Sequence, residues 1–330
     1  MRTWHGPARQ RGTALLTVLL LVAVMTLLMV AVLDDLRFGQ RRTANGAALT
    51  QAQWHALGSE AIARQQLQAL ARRTPGRTTL DGGWNDRPLL FPLEQGAVRV
   101  RLRDRGSCFN LNSVVAGAGE QWQRSEDGAR QYRALLQALG EAPAHADALT
   151  DALVDWIDSD ALPGAHGHED MHYLQSAQPR RSGATLLAGV SELAAIAGYT
   201  PATIARLRPY ACALPEGRLS PININSLQVD DAPVLVALTS GAITLTAARR
   251  LIAERPAGGW RDPAVFWNRP ALVQAALPNP VLQQVALRTT YFDLDSQVDH
   301  AGAQVMLQAQ LRQDADGRVR LVARQWSPDQ

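Results

Sequence analysis

The stretch RQRGTALLTVLLLVAVMTLLMVAVLDDL, Arg9–Leu36, decides how the rest of the chain is read. From Thr13 to Leu33 it carries no charge, and Thr13, Thr17 and Thr26 are its only polar side chains. A helix rising ~1.5 Å per residue would cover about 30 Å over that length, the thickness of a bilayer core. A removable secretory signal has an apolar region of only about 7–15 residues and then a small-residue cleavage site. This run is longer and has no such site, so it reads as a retained membrane segment. Arg9 and Arg11 place the N-terminus in the cytoplasm, and Asp34 and Asp35 begin the exported side.

The full chain has 330 residues, which suggests two or three domains. Arg2, Arg9 and Arg11, all ahead of the apolar run, account for its entire net charge of +3. The remainder is neutral and has no overall field to gather nucleic acid or anionic lipid. The two cysteines, Cys108 and Cys212, fit neither a zinc cage nor a disulfide-rich scaffold. In an exported protein they allow one bridge, and two buried thiols are the alternative.

Outward from the membrane segment the helical pattern continues to about Arg73. Leu49, Ala52, Ala56, Ala63, Leu67 and Leu70 recur at spacings of three and four, with Glu60 as the odd member, and predict an apolar stripe that packs on a sheet. Pro75-Gly76 ends it. AVRVRLRD, from Ala97, alternates as a half-buried strand: Val98, Val100 and Leu102 face one way and Arg99, Arg101 and Arg103 face solvent. From Thr289 to Trp326 the pattern gives two or three antiparallel strands, turning at Asp314–Gly317. The middle, about 109–285, is mostly helical. The expected fold class is therefore α+β: a long N-terminal helix on a small antiparallel sheet, with a large all-α insertion.

That middle contains a weak repeat. FNLNSV at 109–114 matches ININSL at 222–227, and Asn-x-Asn-Ser is suitable chemistry for capping a helix start. The second copy opens a segment, Ser220–Trp267, that resembles a helix-hairpin-helix element. In such elements a Gly-apolar-Gly hairpin brings backbone N–H groups to a phosphate. Here the hairpin reads Gly241-Ala242-Ile243-Thr244, without the second glycine, and five Arg face four acidic residues from Pro221 to Val285. A phosphate binder is more basic, so a protein-packing role is expected and no nucleic-acid partner. The alternative is a membrane-anchored competence receptor that grips DNA through this region.

LVDWIDSDALPGAHGHEDMHYL, Leu153–Leu174, gathers charge uneconomically. Asp155 and Asp158 share the end of a helix face and repel, Asp160 follows, and a Pro-Gly loop can return Glu169 and Asp170 to the same place. With no Arg nearby in the sequence, such a group calls for a cation. Oxygen ligands suit Ca²⁺, while His166, His168 and His172 keep Zn²⁺ open as the alternative. No Ser, His and Asp set has a catalytic context and neither cysteine sits in a nucleophile motif, so no enzyme is expected.

Read in order, these features resemble one family. A short basic peptide ending in Gly12, followed directly by the apolar helix, resembles a type IV prepilin leader. The resemblance implies cutting between Gly12 and Thr13 by a prepilin peptidase, and N-methylation of Thr13. Most of that group has Glu at the fifth mature position; here it is Thr17, and the subclass that lacks this Glu is the minor pseudopilin K family (GspK) of type II secretion systems. DWIDSD…HEDMHYL is similar to that family's acidic segment, and ELAAIAGYTPATIARLRPYACALP followed by PININSL resembles it further. The resemblance implies calcium held by Asp155, Asp158, Asp160, Glu169 and Asp170. It implies a type IV pilin-like fold with a SAM-like and helix-hairpin-helix-like insertion. The divisions are a leader at 1–12, a transmembrane helix at 13–33, its continuation at 34–75 and a β segment at 76–108. Helical domains follow at 109–220 and 221–285, then closing strands at 286–330. It also implies an inner-membrane, single-pass protein with its bulk in the periplasm. The partners would be minor pseudopilins I, J and H, the major pseudopilin, the inner-membrane assembly platform, and a secreted substrate or the secretin. The implied role is to cap the pseudopilus tip and help start its assembly.

Overall fold

The computed structural model describes residues 11–119, 121–176 and 178–327. It opens with one helix, α1, Arg11–Arg73. No proline interrupts those residues, and Gly76, at φ +77°, takes the left-handed turn that ends the run. From Thr13 onward the first half of α1 is exposed, Leu15, Leu20, Leu27 and Met29 included. Its best 18-residue window has a mean hydropathy of 3.0. Inside this stretch Thr17 and Thr26 donate their hydroxyls back to the Ala14 and Val22 carbonyls. This is how a polar side chain is satisfied where no water is available.

The second half of α1 lies across a five-stranded sheet. In chain order its strands are β1 (Leu89–Leu93), β2 (Gly96–Asp104), β9 (Tyr291–His300), β10 (Ala303–Gln313) and β11 (Val319–Ser327), laid side by side in that same order and antiparallel throughout. Ala52, Ala56, Ala63 and Leu67 of α1 meet Val98, Val100, Leu102, Phe292, Leu294, Val298 and Leu307 in one core. The expected stripe needs one correction: Leu49 is exposed, because the sheet begins only one turn later. Glu60, the odd member, is buried. Arg324 of β11 holds it with two bonds of 2.8 and 3.1 Å, and Arg64 donates to it as well. Of the arginine face of β2 only Arg99 is exposed; Arg101 and Arg103 are half-buried because they are paired, Arg103 meeting Asp86 at 2.7 Å and Asp295 at 3.1 Å.

Between β2 and β9 the chain leaves and returns at neighbouring positions, since Asp104 pairs with Phe292. Everything between them is one insertion hung from the sheet end where α1 stops. Its first unit begins with β3 (Phe109–Asn110), a 3-10 turn at Leu111–Val114, and a small hairpin of β4 (Val115–Ala118) and β5 (Gln121–Arg124). Helices α2 (Glu126–Ala138), α3 (Pro143–Ile157), α4 (Asp170–Leu174) and α5 (Pro201–Leu207) follow, and β6 (Ala211–Cys212) pairs back in parallel with β3. The second unit runs from β7 (Ile222–Asn223) through α6 (Ala232–Leu238) and α7 (Leu245–Ala253). Three shorter helices, α8 (Pro263–Trp267), α9 (Pro270–Val273) and α10 (Asn279–Gln284), lead to β8 (Val285–Ala286), parallel to β7. Each unit has its own core, one around Tyr132, Leu149 and Leu153, the other around Leu235, Leu251 and Phe266. Cys108 and Cys212 are joined, 5.8 Å apart at Cα, and pack with Leu214 and Tyr291 where the first unit meets the sheet.

Candidate metal centre

Helix α3 ends at Ile157 with Asp158 as its cap, and the loop that follows folds back on it. Three carboxylates converge there: Asp158, Asp160 and Glu169 each offer an oxygen within 4.8 Å of the others. Oxygens that lie 2.3–2.6 Å from a shared Ca²⁺ are at most about 5 Å apart, so the spacing fits one ion. Oδ1 of Asp158 and Oε1 of Glu169 are buried without a hydrogen-bond partner. Burial, then the neighbouring charges of Asp160, Asp155 and Glu169, pushes Asp158 up to about 7. Burial, then Asp155 and Asp160, raises Glu169 to about 7. Unpartnered oxygens among like charges are what a cation relieves.

The other two expected ligands are placed differently. Asp155 accepts the Gly164 N–H through both oxygens, at 3.1 and 3.0 Å, and burial raises its pKa. Asp170 turns outward: its Oδ1 accepts the Ser182 N–H and hydroxyl, both at 2.8 Å, and these bonds lower its pKa. Arginines also stand closer than the local sequence suggests. Arg181 reaches Asp170 at 3.9 Å, and Arg124, from β5, holds Asp151 at 2.9 Å. Both come from outside the acidic stretch, where a reading of neighbours in sequence does not look.

The histidines stay apart from this cluster. His166 faces Asp151, with Nδ1 3.4 Å from Oδ2. His168 and His172 stack with centroids 3.9 Å apart and planes within 8°. The nitrogen lone pairs lie in the ring planes, and two separate, nearly parallel planes do not bring them to a common point. Two glycines missed in the sequence shape the site: a Cβ on Gly167 would sit 1.8 Å from Asp155 Oδ2, and one on Gly164 3.2 Å from Asp155 Oδ1. Their signal was present in PGAHGH, where small residues three apart let a loop lie against a carboxylate.

The two Asn-x-Asn-Ser copies prove to be clamps as well as caps. Oδ1 of Asn110 accepts the Asn112 and Leu214 N–H groups. Asn112 takes the Leu187 N–H and donates to the Leu187 and Leu214 carbonyls. In the second copy Oδ1 of Asn223 accepts the Asn225 N–H, and Asn225 takes the Trp260 N–H and donates to the Trp260 carbonyl. Each unit therefore has its opening strand tied to a distant loop by the same amide. In the hairpin after α6, the Gly241 and Ala242 N–H groups already bond to the Val236 and Thr239 carbonyls, leaving two fewer for a phosphate.

Family models described as type II secretion system (T2SS), protein K match residues 107–216 and 222–288. A Pectobacterium carotovorum type II secretion system protein K is 34% identical over 97% of this chain and 97% of its own. The chain belongs to the type II secretion system protein K family. A Klebsiella pneumoniae protein K is 38% identical over 80% of this chain and 81% of its own. The crystal structure of the GspK-GspI-GspJ complex from enterotoxigenic Escherichia coli has a chain with a TM-score of 0.74 at 28% identity; the match covers 87% of this chain and all of that one. The chain is thus a minor pseudopilin of the GspK family, with an α+β fold and an apolar α1 that suits a membrane anchor. Most of the leader expected at 1–12 lies outside the described residues, while Gly12 and Thr13 stand in the first turns of α1.

Proposed function

We propose that this protein ends a pseudopilus: it sits at the tip, helps the I, J and H minor pseudopilins start assembly, and so supports export of folded proteins. α1 anchors it once in the inner membrane, N-terminus in the cytoplasm and head in the periplasm, after cutting between Gly12 and Thr13. The role is structural, not enzymatic. The observation that carries this reading is where the insertion hangs. Both helical units leave the sheet at Asp104 and return at Tyr291, beside the end of α1. In a helical fibre the next subunit would have to occupy that place. Further down α1, Trp54 is exposed opposite the sheet, on a face free to meet other helices. The GspK relative of known structure is in a complex with GspI and GspJ.

Co-purification with the cognate I and J subunits, followed by site-specific crosslinking within assembled fibres, tests this. One copy at a fibre end is expected; copies spaced along the shaft would refute it.

We further infer that Asp158, Asp160 and Glu169 hold Ca²⁺, with Asp155 supporting the loop from behind. The cluster's donors are all oxygen, which favours Ca²⁺ over Zn²⁺. Calcium binding should lower the exchange of amides between Asp158 and Asp170, and a chelator should restore it with little change in the sheet. Because the unliganded carboxyls hold protons up to about 7, affinity should fall as pH drops from 8 to 6, with protons released on binding. Asp158→Asn should weaken calcium binding and reduce that pH-dependence, leaving the part that Glu169 contributes. Equal calcium uptake by the wild type and this variant would argue against the site.

A further inference from the structure

Where α1 ends, a cavity of ≈ 510 Å³ opens between the helix, the turn at 74–77 and the β10–β11 hairpin. Four arginines line it, Arg72, Arg77, Arg288 and Arg318, against a single carboxylate, Asp316. Arg72 and Arg77 flank the end of α1, while Arg288 and Arg318 come from far along the chain, so no local sequence pattern shows the four as a group. Arg288 is held by the carbonyls of Gln313 and Ala315, at 3.2 and 2.9 Å, and by that of Asp314. Arg77 donates to the Gly258 carbonyl of the second helical unit at 3.1 Å. Carbonyls are neutral: they fix these guanidinium groups in place without cancelling their charge. Arg318 meets Asp316 at 3.3 Å, and Arg72 has no hydrogen bond or ion pair within the described residues.

The negative end of the α1 dipole accounts for part of this. It is equivalent to about half a charge and acts within the last turn, which answers for Arg72. It does not answer for three more arginines brought in from other segments of a chain whose body is otherwise neutral. The surplus is positive and open to solvent, and two of its members, Arg77 and Arg288, are held in place.

Two features narrow the occupant. Residues 34–73 of α1 rise about 60 Å beyond the apolar segment, so the headgroups of the membrane that anchors the chain are out of reach. The cavity could also hold on the order of fifteen waters, more than a single small anion fills, and uncharged Ala71, Pro75 and Ala315 also line it. Guanidinium forks pair in plane with carboxylates. We propose that this pocket binds an acidic peptide segment, with two or more Asp or Glu close together, of a protein met at the membrane-distal end. This rests on the pocket itself and not on the tip reading.

The test uses the full chain in a nonionic detergent, with fluorescein-labelled hexaglutamate followed by anisotropy at low salt. Saturable one-to-one binding is expected, weakening as salt rises. The Arg72→Gln/Arg318→Gln double variant, which alters two exposed side chains, should bind about tenfold more weakly. Arg99→Gln, on the open face of β2, should bind as the wild type does. The proposal fails if no saturable binding occurs, if the double variant binds equally well, or if Arg99→Gln is equally impaired. It also fails if inorganic phosphate displaces the probe as readily as unlabelled hexaglutamate, which would mark a site for small anions.

Discussion

Asp104 shows how much one side chain can depend on its fold. In the sequence it closes the alternating run that begins at Ala97. In the structure it is buried, with Thr289 donating at 2.6 Å, Gly106 at 2.6 Å and Ser226 at 3.2 Å. These donors favour its charged form, but burial outweighs them and pushes its pKa up to about 6. A carboxyl whose folded pKa is raised contributes stability that is fully present below its unfolded value, near 4, and is lost as pH rises through about 6. Asp104→Asn removes that titration. Urea unfolding at pH 5 and pH 7 should show the wild type gaining about 1 kcal/mol over the variant at the lower pH. A constant difference would mean that Asp104 stays charged. The acidic loop divides along the same line. Its type of chemistry was legible in the local density of carboxylates. Which oxygens converge was not, because Ser182, Arg181 and Arg124 reach it from outside the stretch.

Among the elements, α1 was the most legible and the repeated motif the least. A period of 3.6 and a long uncharged run need no tertiary information, so the sequence placed the helix and most of its packed face. It treated Glu60 as an exception, because the charge that accepts it, Arg324, lies 264 residues away. The Asn-x-Asn-Ser copies were read as caps. Their second asparagines also fasten loops at Leu187 and Trp260, contacts that only the closed domain creates. Asn225→Ala leaves the Trp260 N–H and carbonyl unpaired in a buried place, at a cost of roughly 1–3 kcal/mol for each group. Hydrogen exchange should find the Trp260 amide opening faster in that variant while the Leu187 amide keeps its protection. Equal loosening of both would mean that the two units unfold as one.

At the scale of the molecule, three cores share one chain, and the disulfide sits where the first insertion unit joins the sheet. Cys108 and Cys212 are 104 residues apart in sequence, and closing a loop of that size stabilises the fold by about 4–5 kcal/mol on a chain-entropy account. Cys108→Ser should lower the denaturant midpoint accordingly, with the soluble region losing the first helical unit before the sheet. An unchanged midpoint would show that packing alone holds the junction. By itself the sequence determined the long apolar helix, the α+β class, the order of the segments and the acidic character of one loop. These follow from hydropathy, periodicity and composition, which act between near neighbours. Only the tertiary structure decided which carboxylates face one another, how the cysteines pair, that four scattered arginines share a pocket, and that the helical mass stands at the far end of α1. Those are meetings of residues distant in the chain, and their energies come from burial and charge in a shared space that no local pattern encodes.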